Sequence, residues 1–264
     1  MHALSFLTLA LVAGSSANAQ TYTYTFDKTA AGGITGTIKV KYATPTGSNA
    51  TVMADLDFSG VSLANITKAE PLCTTEPTQY SWHIHVKWNG TAASSGSFSE
   101  CSLAAAGNHY DPLKACGPNS EYAAAADCTG KTAAYACAPS AYATNPLVCE
   151  KGDLSGKFGK FMLGEAAKKA SGSWVDTNYP LVSENTAQWN VILHAVCGTA
   201  APRIACAVGK LESSAPSPTT TTSPTPTTAA TPTPSPITSS RNAVTVSGVV
   251  VAASLLTMLG PMLL

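Results

Sequence analysis

Polar and apolar residues alternate with a period of two over much of this chain. Thr21-Tyr22-Thr23-Tyr24-Thr25-Phe26 alternates cleanly, as does Ile38-Lys39-Val40-Lys41-Tyr42. In Val52-Met53-Ala54-Asp55-Leu56-Asp57-Phe58 the valine, alanine, leucine and phenylalanine share one face. This period predicts β-strands, and further strands are expected over residues 80–88, 159–163, 188–196 and 204–211. Gly, Pro and Asn turns separate them, which argues for an all-β antiparallel sandwich or barrel. Residues 100–149 have no such period and are rich in Ala, Gly and Cys. A loop of that length is normally functional or cross-linked. Five cysteines lie in it (Cys101, Cys116, Cys128, Cys137 and Cys149), so stapling is the expectation.

The pattern changes at both ends. An apolar run from Leu4 to Ala13 precedes Ala17-Asn18-Ala19, a small-x-small cleavage site, so residues 1–19 read as a secretory signal peptide. Residues 20–212 form the expected folded domain. From Ser213 the chain is dominated by Ser, Thr, Pro and Ala, and residues 213–241 read as a disordered, O-glycosylated stalk. Residues 242–264 form an apolar tail without a charge, and no basic residue follows it as after a membrane span. Small residues, a polar stretch and this tail predict a GPI-attachment signal, with the site near Ser239, Ser240 or Asn242.

Fifteen basic and fifteen acidic residues balance, so nothing suggests a nucleic-acid partner. The eight cysteines of a secreted chain allow up to four disulfides. Their spacing does not choose among about 105 connectivities. The sequons at Asn49, Asn65 and Asn89 mark candidate glycosylated surface, whereas Asn145 is followed by Pro146 and is excluded.

Beyond the leader only four histidines remain: His83, His85, His109 and His194. In Tyr80-Ser81-Trp82-His83-Ile84-His85-Val86-Lys87-Trp88 the apolar residues share one strand face, and both histidines take the other. Their spacing along the strand is about 7 Å. A lone strand histidine needs no metal to account for it. A His-x-His pair in a chain with no spare histidines makes a metal clamp a real alternative. Imidazole suits copper, zinc, iron and nickel alike, so the ligand type does not choose the metal.

Four stretches together resemble copper/zinc superoxide dismutases. They are Trp82-His83-Ile84-His85-Val86, Ala106-Gly107-Asn108-His109-Tyr110-Asp111-Pro112, Gly152-Asp153-Leu154-Ser155-Gly156-Lys157, and Leu193-His194 followed by Pro202-Arg203-Ile204-Ala205-Cys206. The resemblance covers most of residues 21–211 and is to the copper-only, extracellular, GPI-anchored type. It implies an eight-stranded antiparallel Greek-key barrel, here with a long disulfide-rich loop, and copper on the barrel's outer side. His83, His85, His109 and His194 would be the copper ligands, at one copper per chain. Residues 110–152 contain no histidine to build the second site of the zinc-containing relatives, so no zinc is expected. Only eight residues separate His194 from Arg203, where those relatives carry a long electrostatic loop, so a more open site is expected.

The resemblance also implies roles for other residues. Arg203 would guide the anion, Asp153 would hydrogen-bond His109 in place of zinc, and Glu150 would support proton delivery. By the same resemblance Cys101 would pair with Cys206; apart from it, the remaining loop cysteines are expected to pair locally and Cys73 with Cys197. The expected activity is conversion of superoxide to oxygen and hydrogen peroxide at the cell surface. Two alternatives stay open: a surface copper-binding protein without turnover, and an adhesin on the same fold. A mere binder has no use for Arg203 or Glu150, and an adhesin has no need of four intact ligands.

Overall fold

The computed structural model describes residues 19–89, 94–164 and 167–212. The expected leader (apart from Ala19), stalk and attachment signal lie outside the described residues, as do Gly90 and Thr91 of the third sequon. Among the described residues no helix is long and apolar enough to cross a membrane.

Each alternating run becomes a strand because one face can be buried against the others. The strands are β1 (Thr21–Phe26), β2 (Thr35–Tyr42), β3 (Ala50–Asp57), β4 (Gln79–His85), β5 (Ser95–Ser97), β6 (Phe161–Met162), β7 (Lys169–Asp176), β8 (Asn190–Ala195) and β9 (Arg203–Leu211). Their hydrogen-bonded order is β6-β4-β8-β9-β1-β2-β3-β7, with the short β5 beside β9, and every ladder is antiparallel. The eight strands on this path form the nearly closed barrel expected from the sequence. Its open seam lies between β6 and β7, which are consecutive in the chain. The β3–β4 and β7–β8 connections both skip neighbouring strands, which is the Greek-key arrangement.

The inward residues Tyr24, Phe26, Ile38, Val40, Val52, Leu56, Trp82, Ile84, Val191 and Leu193 fill the barrel. Trp82 stacks on Phe161 at 4.7 Å between ring centroids, and Phe58 stacks on Tyr80 at 4.3 Å. Such pairs contribute about 0.5–1.5 kcal/mol beyond their burial.

Three expectations need correction, the first being that the three-residue β5 (Ser95–Ser97) is absent from the expected strands. Strand β4 ends at His85 rather than running to Trp88. Trp88 instead packs on a small cluster of Cys101, Ala106, Ile192 and Cys206. Strand β7 is absent from the expected set, because alternate positions along it are Ala170, Gly172, Trp174 and Asp176. Two are nearly featureless and one is charged, so no apolar period signals the strand. A Cβ on Gly172 would lie 2.4 Å from the Trp174 indole, so the glycine makes room for that ring.

Asp176 is buried because Lys157 meets it. Lys157 Nζ lies 2.9 Å from Asp176 Oδ2 and 2.8 Å from the Lys151 carbonyl. This pair draws the short helix Leu154–Phe158, and with it the turn carrying Glu150 and Asp153, onto the barrel. Removing one partner of such a pair typically costs about 3–5 kcal/mol.

Residues 100–149 contain short helical turns and no strand. Disulfides join Cys101 to Cys206, Cys116 to Cys128, Cys137 to Cys149 and Cys73 to Cys197. The first of these fastens the loop to β9, and the last fastens the β3–β4 connection to the segment after β8.

Candidate metal centre

Strand β4 turns Trp82 and Ile84 into the barrel, so His83 and His85 face outward. On the adjacent β8, His194 lies opposite Ser81 and Ile192 opposite His83, which places His194 on the same outer face. His109 arrives from the long loop through an isolated antiparallel bridge to His85. Each of the four histidines offers a ligand atom, and these atoms all lie within 4.8 Å of one another.

The chemistry of this cluster follows from what each ring bonds on its far side. His85 Nδ1 is 3.0 Å from the Gly107 carbonyl, His194 Nδ1 is 3.0 Å from the Ala201 carbonyl, and His109 Nδ1 is 2.7 Å from Glu150 Oε2. His83 Nε2 lies 3.5 Å from Asp153 Oδ1. The nitrogens left over, His83 Nδ1 and the Nε2 atoms of His85, His109 and His194, are buried and have no hydrogen-bond partner. An unsatisfied buried polar atom costs about 1–3 kcal/mol, and four in one place would be a large cost for no return. A cation that accepts imidazole nitrogen accounts for all four at once. The outer partners fix which nitrogen of His85 and His194 carries its proton, as ligating histidines require.

Ligation also needs neutral imidazole. Burial, reinforced by the neighbouring rings and Arg203, holds His83 and His85 well below the usual histidine range. Burial pushes His109 down to about 4 and His194 down to about 3. Burial raises Glu150 to about 9, with the nearby charges of Asp153 and Asp111 adding to it.

Two glycines let the backbone make these contacts. Gly107 has φ +73°, and its carbonyl accepts both from His85 and from Arg203 Nη1 at 2.9 Å. Arg203 Nη1 also donates to the Cys101 carbonyl at 3.2 Å, so the disulfide-anchored loop holds the guanidinium in place. Gly152 lies so close to β4 that a Cβ would be 2.7 Å from the Ile84 carbonyl. Its own carbonyl accepts from Ile84 N at 2.8 Å, and this approach delivers Glu150 and Asp153 to the histidines.

An open cleft of about 560 Å³ leads to the cluster, with His83, His109, His194, Glu150, Asp153 and Arg203 among its lining. The four histidines, both acids and the arginine singled out in the sequence therefore converge. One detail differs from expectation. Glu150, not Asp153, bonds His109, while Asp153 faces His83 and accepts from Gly156 N and the Tyr135 hydroxyl. The reason is geometric: Gly152 is pinned to β4, so the residue two before it and the residue after it reach different rings. Sequence reasoning also missed Tyr135, which lies in the aperiodic segment and gave no periodic signal. Gly107 stood within a quoted motif, but its role as a shared acceptor depends on the fold.

No protein-family model and no curated protein matches the chain. Among solved structures the chain is similar to Candida albicans Superoxide Dismutase 5 in its Cu(II) form, at 22% identity and a TM-score of 0.44, covering 77% of this chain and 99% of that one. It is also similar to a mutant form of the same Candida albicans protein, at 20% identity and a TM-score of 0.43, covering 72% of this chain and 88% of that one.

Proposed function

We propose that this protein is an extracellular superoxide dismutase that binds one copper per chain through His83, His85, His109 and His194, without zinc. The observation that carries the reading is the convergence of four buried, unpartnered imidazole nitrogens beside an open cleft that His83, His109, His194 and Arg203 line. The motif resemblance supplies the choice of copper and of superoxide.

Dismutation turns two superoxide ions and two protons into oxygen and hydrogen peroxide. Copper, when bound, supplies the one-electron couple. Arg203 attracts and docks the anion, since a guanidinium held by two carbonyls keeps its remaining N–H donors free for charge-assisted bonds. Glu150 and His109 Nδ1 share a hydrogen bond beside the cleft, and a proton that this pair gives to a product anion is replaced from solvent. Asp153 steadies His83.

The same reading places the protein outside the cell, attached by a GPI anchor. Four disulfides are at home in an oxidising compartment, and Asn49 and Asn65 are exposed for glycosylation. The test is metal analysis of the secreted, untagged domain alongside a superoxide-consumption assay. About one copper per chain with turnover is expected. Copper without turnover would reduce the protein to a copper binder, and stoichiometric zinc that copper cannot displace would refute the metal assignment.

A further inference from the structure

Both acids beside the histidines meet at a single phenol. Tyr135 donates its hydroxyl hydrogen to Asp153 Oδ2 at 2.8 Å and accepts the Glu150 backbone N–H at 3.1 Å. The other oxygen of Asp153, Oδ1, accepts from Gly156 N at 2.7 Å and lies 3.5 Å from His83 Nε2. Tyr135 belongs to the loop between the Cys116–Cys128 and Cys137–Cys149 disulfides, and it lines the cleft. Cys149 is joined to Cys137, two residues after Tyr135, and directly precedes Glu150. The staple therefore holds the phenol and the acid turn at a fixed separation.

His83 is the odd member of the cluster. The other three rings have Nε2 unpartnered, whereas His83 has Nδ1 unpartnered and turns Nε2 toward Asp153. Its far nitrogen is also the only one of the four without a hydrogen bond shorter than 3.5 Å. Its tautomer therefore rests on the position of one carboxylate.

We propose that Tyr135 is a positioning residue of the metal centre: its hydroxyl orients Asp153 so that His83 keeps its proton on Nε2 and presents Nδ1 to the metal. The role rests on the four-histidine metal reading for its consequence, but not for its geometry. A free carboxylate could rotate about its terminal torsion, which is broad. With Oδ2 held by Tyr135 and Oδ1 by Gly156 N, that rotation is blocked. Partners of ligating histidines commonly change metal affinity by about 10–100-fold when removed, and Tyr135 stands one bond further out.

Tyr135→Phe keeps the ring and removes only the oxygen. In metal-free, 15N-labelled protein, long-range proton–nitrogen spectra should show His83 with its proton on Nε2 in the wild type and a mixture of tautomers in the variant. In an Asp153→Asn background the same substitution should add nothing, because the path through Asp153 is already cut. With copper added, Tyr135→Phe should bind about fivefold more weakly and shift the Cu(II) electron paramagnetic resonance spectrum, a change beyond activity alone. If the His83 tautomer and the spectrum are both unchanged in Tyr135→Phe, the positioning role is overturned. If the tautomer responds but the wild type takes up no copper, the positioning role stands and the copper reading falls.

Discussion

Arg203 and His85 donate to the same acceptor, the Gly107 carbonyl, at 2.9 Å from Nη1 and 3.0 Å from Nδ1. The group proposed to capture the anion and a group proposed to bind the metal are thus set by one peptide unit. This couples their positions without making Arg203 a ligand.

Arg203→Ala should therefore leave copper content nearly intact while superoxide consumption falls by roughly tenfold, equivalent to about 1.4 kcal/mol. Arg203→Lys should recover part of the loss, since charge survives but the fork geometry does not. Wild-type turnover should also decline with ionic strength more steeply than that of the alanine variant. Equal rates for wild type and Arg203→Ala, with copper bound, would remove the guiding role.

At Gly107 the backbone itself is the target. Its φ of +73° and ψ of −162° lie in a region open essentially to glycine, and a Cβ would sit 3.0 Å from Val86 Cγ2. Gly107→Ala should cost about 1–3 kcal/mol in denaturant unfolding. It should also weaken copper binding and slow turnover together, because His85 and Arg203 shift as one. A variant of unchanged stability would show that this conformation is not strained for alanine.

Glu150 is expected to matter to His109 and not to His83. Glu150→Gln should lower turnover or copper affinity by about 10–100-fold, as loss of a ligating histidine's partner does. Gly117→Ala should have a related effect, since its Cβ would lie 2.2 Å from Glu150 Oε1 and force the carboxylate to move. Full activity in both variants would exclude Glu150 from the mechanism.

A pH dependence follows from Tyr24, fully buried in the barrel and raised from 10.0 to about 12 chiefly by burial. The unfolded chain loses this proton near pH 10, whereas the fold keeps it. The contribution is therefore complete below about pH 10 and is lost as pH rises toward 12. Two pKa units correspond to roughly 3 kcal/mol. Urea unfolding of Tyr24→Phe should show a smaller fall in stability between about pH 9 and pH 12 than the wild type shows. Parallel curves would place the alkaline sensitivity elsewhere.

Much of the barrel could be read from the chain because burial of one strand face writes itself as a period of two. That period found β1, β2, β3, β8 and β9, and it turned His83 and His85 outward by putting Trp82 and Ile84 inside. Where the buried face is made of Ala170, Gly172 and a paired Asp176, as on β7, the period carries no apolar contrast and the strand is silent. The motif order brought His109, His194, Glu150, Asp153 and Arg203 into one neighbourhood, yet it assigned Asp153 to His109, the ring that Glu150 meets. The pairing of acid and ring belongs to the tertiary structure. Glu150 and Asp153 are three apart in a turn, and only the close approach of Gly152 to Ile84 sends one to His109 and the other toward His83. Tyr135 is decided there too. Its segment has no period, and its place beside both acids comes from cross-links and packing between parts of the chain that local sequence cannot compare.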